Sequence, residues 1–124
     1  MAERILIEVP DELIRRDIGY TDRDTGERRT FNSVTLPDGC CYMGEDITGW
    51  EFSARFLNPA KDHGEGWSEI PLLAESLVRV QTRRVDEEGN FEVDDNGRAV
   101  RIVRKIPPAS LKEAVEAALL KGGY

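Results

Sequence analysis

The sequence predicts a mainly β, or α+β, fold: a small antiparallel barrel or sandwich with one C-terminal helix over about 109–121. Three observations predict it. Large apolar side chains fall on every other residue of Trp50-Glu51-Phe52-Ser53-Ala54-Arg55-Phe56, which is the period of a strand. The same alternation recurs along the chain, broken at short intervals by Gly, Pro and Asp. Only the last segment changes to helical spacing, with Leu111, Val115, Ala118 and Leu119 at i, i+4, i+7 and i+8.

Taken in order, Arg4 to Val9 places Ile5, Ile7 and Val9 on one face of a strand. Pro10 has no N–H to donate and ends the pairing. Leu13 to Tyr20 fits two patterns, a helical turn with Asp11 as N-cap or a second strand. Asp22 to Glu27 is a surface turn in which Gly26 is free to take positive φ. Phe31 to Leu36 is a strand closed by the Pro37-Asp38-Gly39 turn. A short link through Gly44-Glu45-Asp46 and Gly49 leads into the strand from Trp50 to Leu57, and Asn58 to Gly66 is a polar loop.

Trp67 to Leu73 resumes as a strand in which Pro71 demands an edge or a bulge. Leu77 to Val85 and Arg98 to Ile106 form a long hairpin, and the connection from Asp86 to Gly97 has two turn signals, Glu88-Gly89-Asn90 and Asn96-Gly97. No internal repeat is evident. In the helix, Ser110 is the expected N-cap, Glu113 completes a capping box, and Gly122-Gly123 is the stop.

At 124 residues the chain is expected to be one domain spanning 1–124. With 40% hydrophobic and 33% charged residues it is too apolar for a disordered chain and too polar for a membrane protein. The start, Met1-Ala2-Glu3-Arg4-Ile5, lacks the basic and apolar regions of a signal peptide, so the expected location is the cytoplasm. Cys40 and Cys41 are adjacent, which sets them on opposite faces of an extended segment and disfavours a disulfide. One is expected to pack inward and the other to meet solvent, in a reduced setting. The net charge of −7 disfavours unaided binding to nucleic acid or an anionic membrane.

Catalytic motifs are weak throughout. Glu92, Asp94 and Asn96 before Gly97 imitate the start of a calcium loop, but the position of its bidentate Glu is Val103, so the stretch reads as a solvated acidic turn. The one histidine, His63, sits in the polar loop with no local signature tying it to either thiol. The glycines never form a phosphate-binding loop. No cofactor or metal is expected, and the chain reads as non-enzymatic.

Two features bear on binding. The stripe of Trp50, Phe52 and Phe56 imitates a base-stacking platform but reads better as the core side of a sheet; Trp67, at a loop exit, is a candidate for exposure. Arg79, Arg83 and Arg84 on one strand, with Arg98, Arg101, Arg104 and Lys105 on its partner, form a basic ribbon joined by an acidic connection. Cross-strand pairing and solubility explain such a ribbon without function, whereas contact with phosphates is the functional alternative.

Phe31-Asn32-Ser33-Val34-Thr35-Leu36-Pro37-Asp38-Gly39, Gly44-Glu45-Asp46-Ile47-Thr48-Gly49-Trp50-Glu51-Phe52, Ile70-Pro71-Leu72-Leu73 and the final Leu111 to Leu120 helix give the chain a resemblance. It resembles a group of uncharacterised small accessory proteins of conjugative and integrative elements from gut Actinobacteria and Firmicutes. The resemblance covers most of the chain, rests on turn and strand signatures, and implies an accessory role in a mobile element without transferring a catalytic residue. The expected function is a binding or accessory module acting through protein contacts. The alternative is weak single-strand nucleic-acid binding by the basic hairpin 77–105, with Trp67 and the ribbon as the binding surface.

Overall fold

Ile7 and Val9 are fully buried while Leu6, two residues before Glu8, stays 41% exposed, so the period-two pattern is an alternation of sheet faces. The structure is a computed structural model and describes residues 3–124. β1 (Arg4–Pro10) pairs antiparallel with β8 (Trp67–Leu73), placing Ile7 opposite Ile70, and β7 (Asn58–Pro59) lies on the far side of β8. The pairing ends at Pro10, as expected, with Pro10 itself the last residue of β1 and opposite Trp67. β7 reaches only Ser68 and Glu69, so at Pro71 the strand has a neighbour on one side only, the local edge that a residue without an N–H tolerates.

The second sheet has five strands in the order β10 (Arg101–Ile106), β9 (Val78–Arg83), β6 (Glu51–Ala54), β3 (Arg28–Thr35) and β2 (Ile14–Thr21). Both readings of 11–20 are partly realised: a single 3-10 turn at Asp11–Leu13 precedes β2. Asp11 is not its cap. Its carboxylate instead accepts the Ser68 hydroxyl at 2.5 Å and Arg16 at 3.4 Å. β6 stops at Ala54, so Trp50, Phe52 and Ala54 are buried whereas Phe56 is 61% exposed and lies outside the core stripe. A hairpin absent from the sequence reading, β4 (Cys41–Tyr42) with β5 (Glu45–Asp46), turns at Met43 and Gly44, both at positive φ (50° and 78°). Two such residues suit the primed turns of tight hairpins, but Met-Gly does not signal one.

α1 runs Pro108–Lys121 with Pro107 at the cap position and Pro108 in the first turn, and no side chain caps it. Ser110 is therefore inside the helix and the expected capping box does not form. The fixed φ of proline and its missing N–H suit a helix start. Leu111, Val115, Ala118 and Leu119 are all buried, as their spacing requires. The helix ends with Gly123 at φ +86°, the Gly123 N–H donating to Leu120 C=O and the Tyr124 N–H to Leu119 C=O, a Schellman closure.

One core joins Ile7, Val9 and Ile70 of the first sheet, Val34, Phe52, Val80 and Ile106 of the second, Leu36, Cys40, Ile47 and Trp50 of the connecting hairpin region, and the helix stripe. Among the described residues no sheet closes on itself. The architecture is sandwich-like α+β rather than a barrel.

The connection between β9 and β10 contains a repeat that the sequence reading missed. Val85-Asp86-Glu87-Glu88-Gly89-Asn90-Phe91 and Val93-Asp94-Asp95-Asn96-Gly97-Arg98-Ala99 fold alike, bridging Val85 to Phe91 and Val93 to Ala99. In each, the Asp Oδ1 accepts two backbone N–H groups at 2.9 Å, from Glu88 and Asn90 or from Asn96 and Arg98. Each glycine sits at positive φ. The repeats close a ring: Arg84 N–H donates to Val100 C=O (2.9 Å), Val100 N–H to Glu92 C=O (3.1 Å), and Glu92 N–H to Arg84 C=O (3.0 Å). Residues 84–100 are thus an acidic knob with two brief pairings, and Asp94 serves turn geometry rather than a calcium loop.

Candidate functional site

Strand register sorts the basic ribbon residue by residue. Across β9 and β10, Arg101 stands opposite Arg83 and Lys105 opposite Arg79, so these four cations share the outward face with Gln81 between them. Like charges directly opposite each other destabilise a ladder. None of the four has a carboxylate within ion-pair distance among the described residues. Cross-strand pairing therefore does not explain them. Arg83 does lie over the Phe91 ring, 4.0 Å from its centroid, a cation–π contact that anchors the knob to the end of the ribbon.

The other three residues of the ribbon do not join this face. Arg104 alternates to the opposite side, where its guanidinium grips both oxygens of Glu45 at 2.8 and 3.2 Å and lies 5.8 Å from the Trp50 ring centroid. Arg84 pairs with Glu92 at 3.3 Å, and Arg98 belongs to the second turn of the knob. Trp67 is half-buried away from the ribbon, stacked on His63 at 4.0 Å and edge-on to Tyr124 at 5.8 Å.

The outward face of the five-stranded sheet is the floor of an open groove of about 870 Å³, walled by Pro71 to Leu73, Ser76 and Leu77. Five arginines line it, Arg4, Arg15, Arg55, Arg79 and Arg101, against one carboxylate, Glu51. Glu51 is occupied by Arg15 at 3.7 Å and the Ser33 hydroxyl at 3.3 Å. Phe31 and Phe56 add apolar surface. In a chain of net charge −7 this is a local positive basin, whose field concentrates anions. Arg4, Arg15 and Arg55 were missed as site residues because they arrive from three different strand regions, Arg4 from β1 of the other sheet, and only the tertiary fold brings them beside Arg79 and Arg101.

A second, smaller hollow of about 440 Å³ holds His63, Trp67 and Tyr124 with Glu8, Asp62, Glu69 and Glu116. His63 Nε2 lies 3.0 Å from Glu8, and Tyr124 donates its hydroxyl to Glu12. The imidazole is thus held between a carboxylate and an indole, with neither thiol as its partner. Among the described residues no three His, Cys, Asp or Glu side chains are arranged to hold a metal ion. Cys40 is buried and Cys41 exposed, both free; burial, then the neighbouring Cys41 and Asp46 charges, push the Cys40 thiol up to about 11, away from the thiolate a nucleophile needs. Asp46 is held below the usual carboxylate range by the Thr48 hydroxyl and N–H.

No family model, curated protein or solved structure matches this chain. Among the described residues no helix is long and apolar enough to cross a membrane.

Proposed function

We propose that this protein is a non-enzymatic binding module that docks an acidic segment of a partner protein in the arginine-lined groove. The observation that carries the proposal is the like-charge register across β9 and β10, Arg101 opposite Arg83 and Lys105 opposite Arg79, of which Arg79 and Arg101 line the groove. Such pairs oppose folding, and an anionic ligand against Arg79 and Arg101 relieves them on binding. Placement in the accessory set of a conjugative or integrative element is part of the same proposal and rests on the resemblance of turn and strand signatures, and a cytoplasmic location rests on the composition of the start, Met1-Ala2-Glu3-Arg4-Ile5.

Single-stranded nucleic acid is the second reading, favoured by Phe31 and Phe56 among the groove arginines, since bases stack on aromatic rings while cations track phosphates. One observation sets it second: Trp50 and Phe52, the aromatics of the expected stacking platform, belong to the core. Fluorescence anisotropy with labelled decaglutamate and a labelled single-stranded oligonucleotide tests both readings. The peptide should bind at low salt, and Arg79→Gln with Arg101→Gln should weaken it by about tenfold. Tighter binding of the oligonucleotide would select the second reading, and binding of neither would remove the groove as a site.

A further inference from the structure

The knob of residues 84–100 has the chemistry the groove lacks. It carries Asp86, Glu87, Glu88, Glu92, Asp94 and Asp95. Glu92 is neutralised by Arg84 and one oxygen each of Asp86 and Asp94 is committed to a turn, which leaves Glu87, Glu88 and Asp95 as exposed charges without a partner among the described residues. Beside them Val85, Phe91 and Val93 are 48%, 59% and 60% exposed. Acidic and apolar surface on the knob thus complements arginine and apolar surface in the groove. A loose acidic loop would explain solubility; an ordered one with three exposed apolar side chains is built like a docking element.

The knob does not fill the groove of its own chain. None of residues 84–100 lines the groove, and the ring of backbone hydrogen bonds through Arg84, Glu92 and Val100, with the Arg83–Phe91 contact, holds the knob at the end of β9 and β10. The groove of another copy has no such restraint. Resting on the reading of the groove as a site for acidic protein segments, we infer that its occupant in the absence of a partner is the acidic knob of a second copy of this chain. The knob is then a built-in competitor, and partner binding is coupled to dissociation of the self-complex. A patch on one copy meeting a different patch on another is a heterologous contact.

Sedimentation velocity over a concentration series tests this with the whole chain. At low salt the weight-average sedimentation coefficient should rise with concentration, and the rise should vanish near 1 M salt, where the screening length is about 3 Å. Glu87→Gln, Glu88→Gln and Asp95→Asn together should abolish it while sparing the aspartates that build the turns. Arg79→Gln with Arg101→Gln should also abolish it. Mixing the two variants, each monomeric alone, should restore association, because one supplies the groove and the other the knob; a variant that had merely unfolded would not do so. A wild-type protein that stays monomeric at low salt, or a knob variant that associates as wild type does, would overturn the inference. Decaglutamate binding by a monomeric wild type would leave the groove reading standing without the inference, whereas self-association that survives Arg79→Gln with Arg101→Gln would overturn the inference without touching the peptide result.

Discussion

Arg101 and Arg83 face each other across the β9–β10 ladder with no acidic partner for either among the described residues, a cross-strand pair that weakens the sheet in which it sits. Arg101→Glu converts it to an opposite-charge pair. It should stabilise the domain by about 0.5 kcal/mol in a urea melt while lowering affinity for an anionic probe at low salt. Stability and binding moving in opposite directions is the signature of a residue kept for a ligand. A variant that is less stable and binds unchanged would return Arg101 to an ordinary surface role.

The start of the helix gives a second, corrective expectation. Sequence alone makes Ser110 the N-cap, so that Ser110→Ala would cost about 1 kcal/mol. With Pro107 at the cap position and no side-chain cap, the change should stay within about 0.5 kcal/mol. Leu111→Ala, by contrast, empties a fully buried position and should cost about 2–5 kcal/mol. Chemical denaturation of the two variants side by side decides whether the helix begins where the prolines place it.

What could be read from the chain follows from the range of the forces involved. Strand faces and the helix stripe were legible, since Ile7, Val9, Val80 and Leu111 are placed by local periodicity alone. The Cys40–Cys41 split was legible for the same reason. The groove was half legible: Arg79 and Arg101 alternate visibly on their own strands, but Arg15 on β2 and Arg55 just past β6 join them only through the sheet order β10-β9-β6-β3-β2, and Arg4 reaches the same groove from β1 of the other sheet. Arg104 was misassigned because a list of basic residues ignores which face each takes. The knob escaped notice because its repeat is short and the elements its two copies share, an aspartate that accepts two N–H groups and a glycine at positive φ, look like ordinary turn residues.

The knob's own stability is testable at its glycines. Gly89 and Gly97 have φ of +87° and +76°, and a Cβ at either meets no heavy atom within 4 Å. The penalty of Gly→Ala there is therefore conformational rather than steric crowding, about 1–2 kcal/mol each. The knob contributes no residue to the core, so the loss should be local. Amide exchange at Arg84, Glu92 and Val100 should accelerate in Gly97→Ala while the global unfolding midpoint holds. Unchanged protection at all three amides would mean the ring does not depend on the second turn.

The adjacent cysteines should behave as two different groups. Cys41 is exposed and Cys40 fully buried, so a thiol reagent should label one equivalent in the native protein and two after denaturation, and Cys41→Ser should remove the native label. The buried thiol also predicts a pH dependence. Its pKa is raised from 9.0 to about 11, first by burial and then by the Cys41 and Asp46 charges. Below pH 9 both folded and unfolded chains hold the proton and the stability is intact. Between about 9 and 11 the unfolded chain releases it while the folded chain keeps it, so the unfolded state binds fewer protons and stability falls as pH rises. Cys40→Ala should be less stable below pH 9 because it leaves a gap in the core, and its stability should decline less steeply across that window. Urea melts at several pH values give the two slopes, and parallel slopes would show that Cys40 ionises in the folded protein as it does in the unfolded chain.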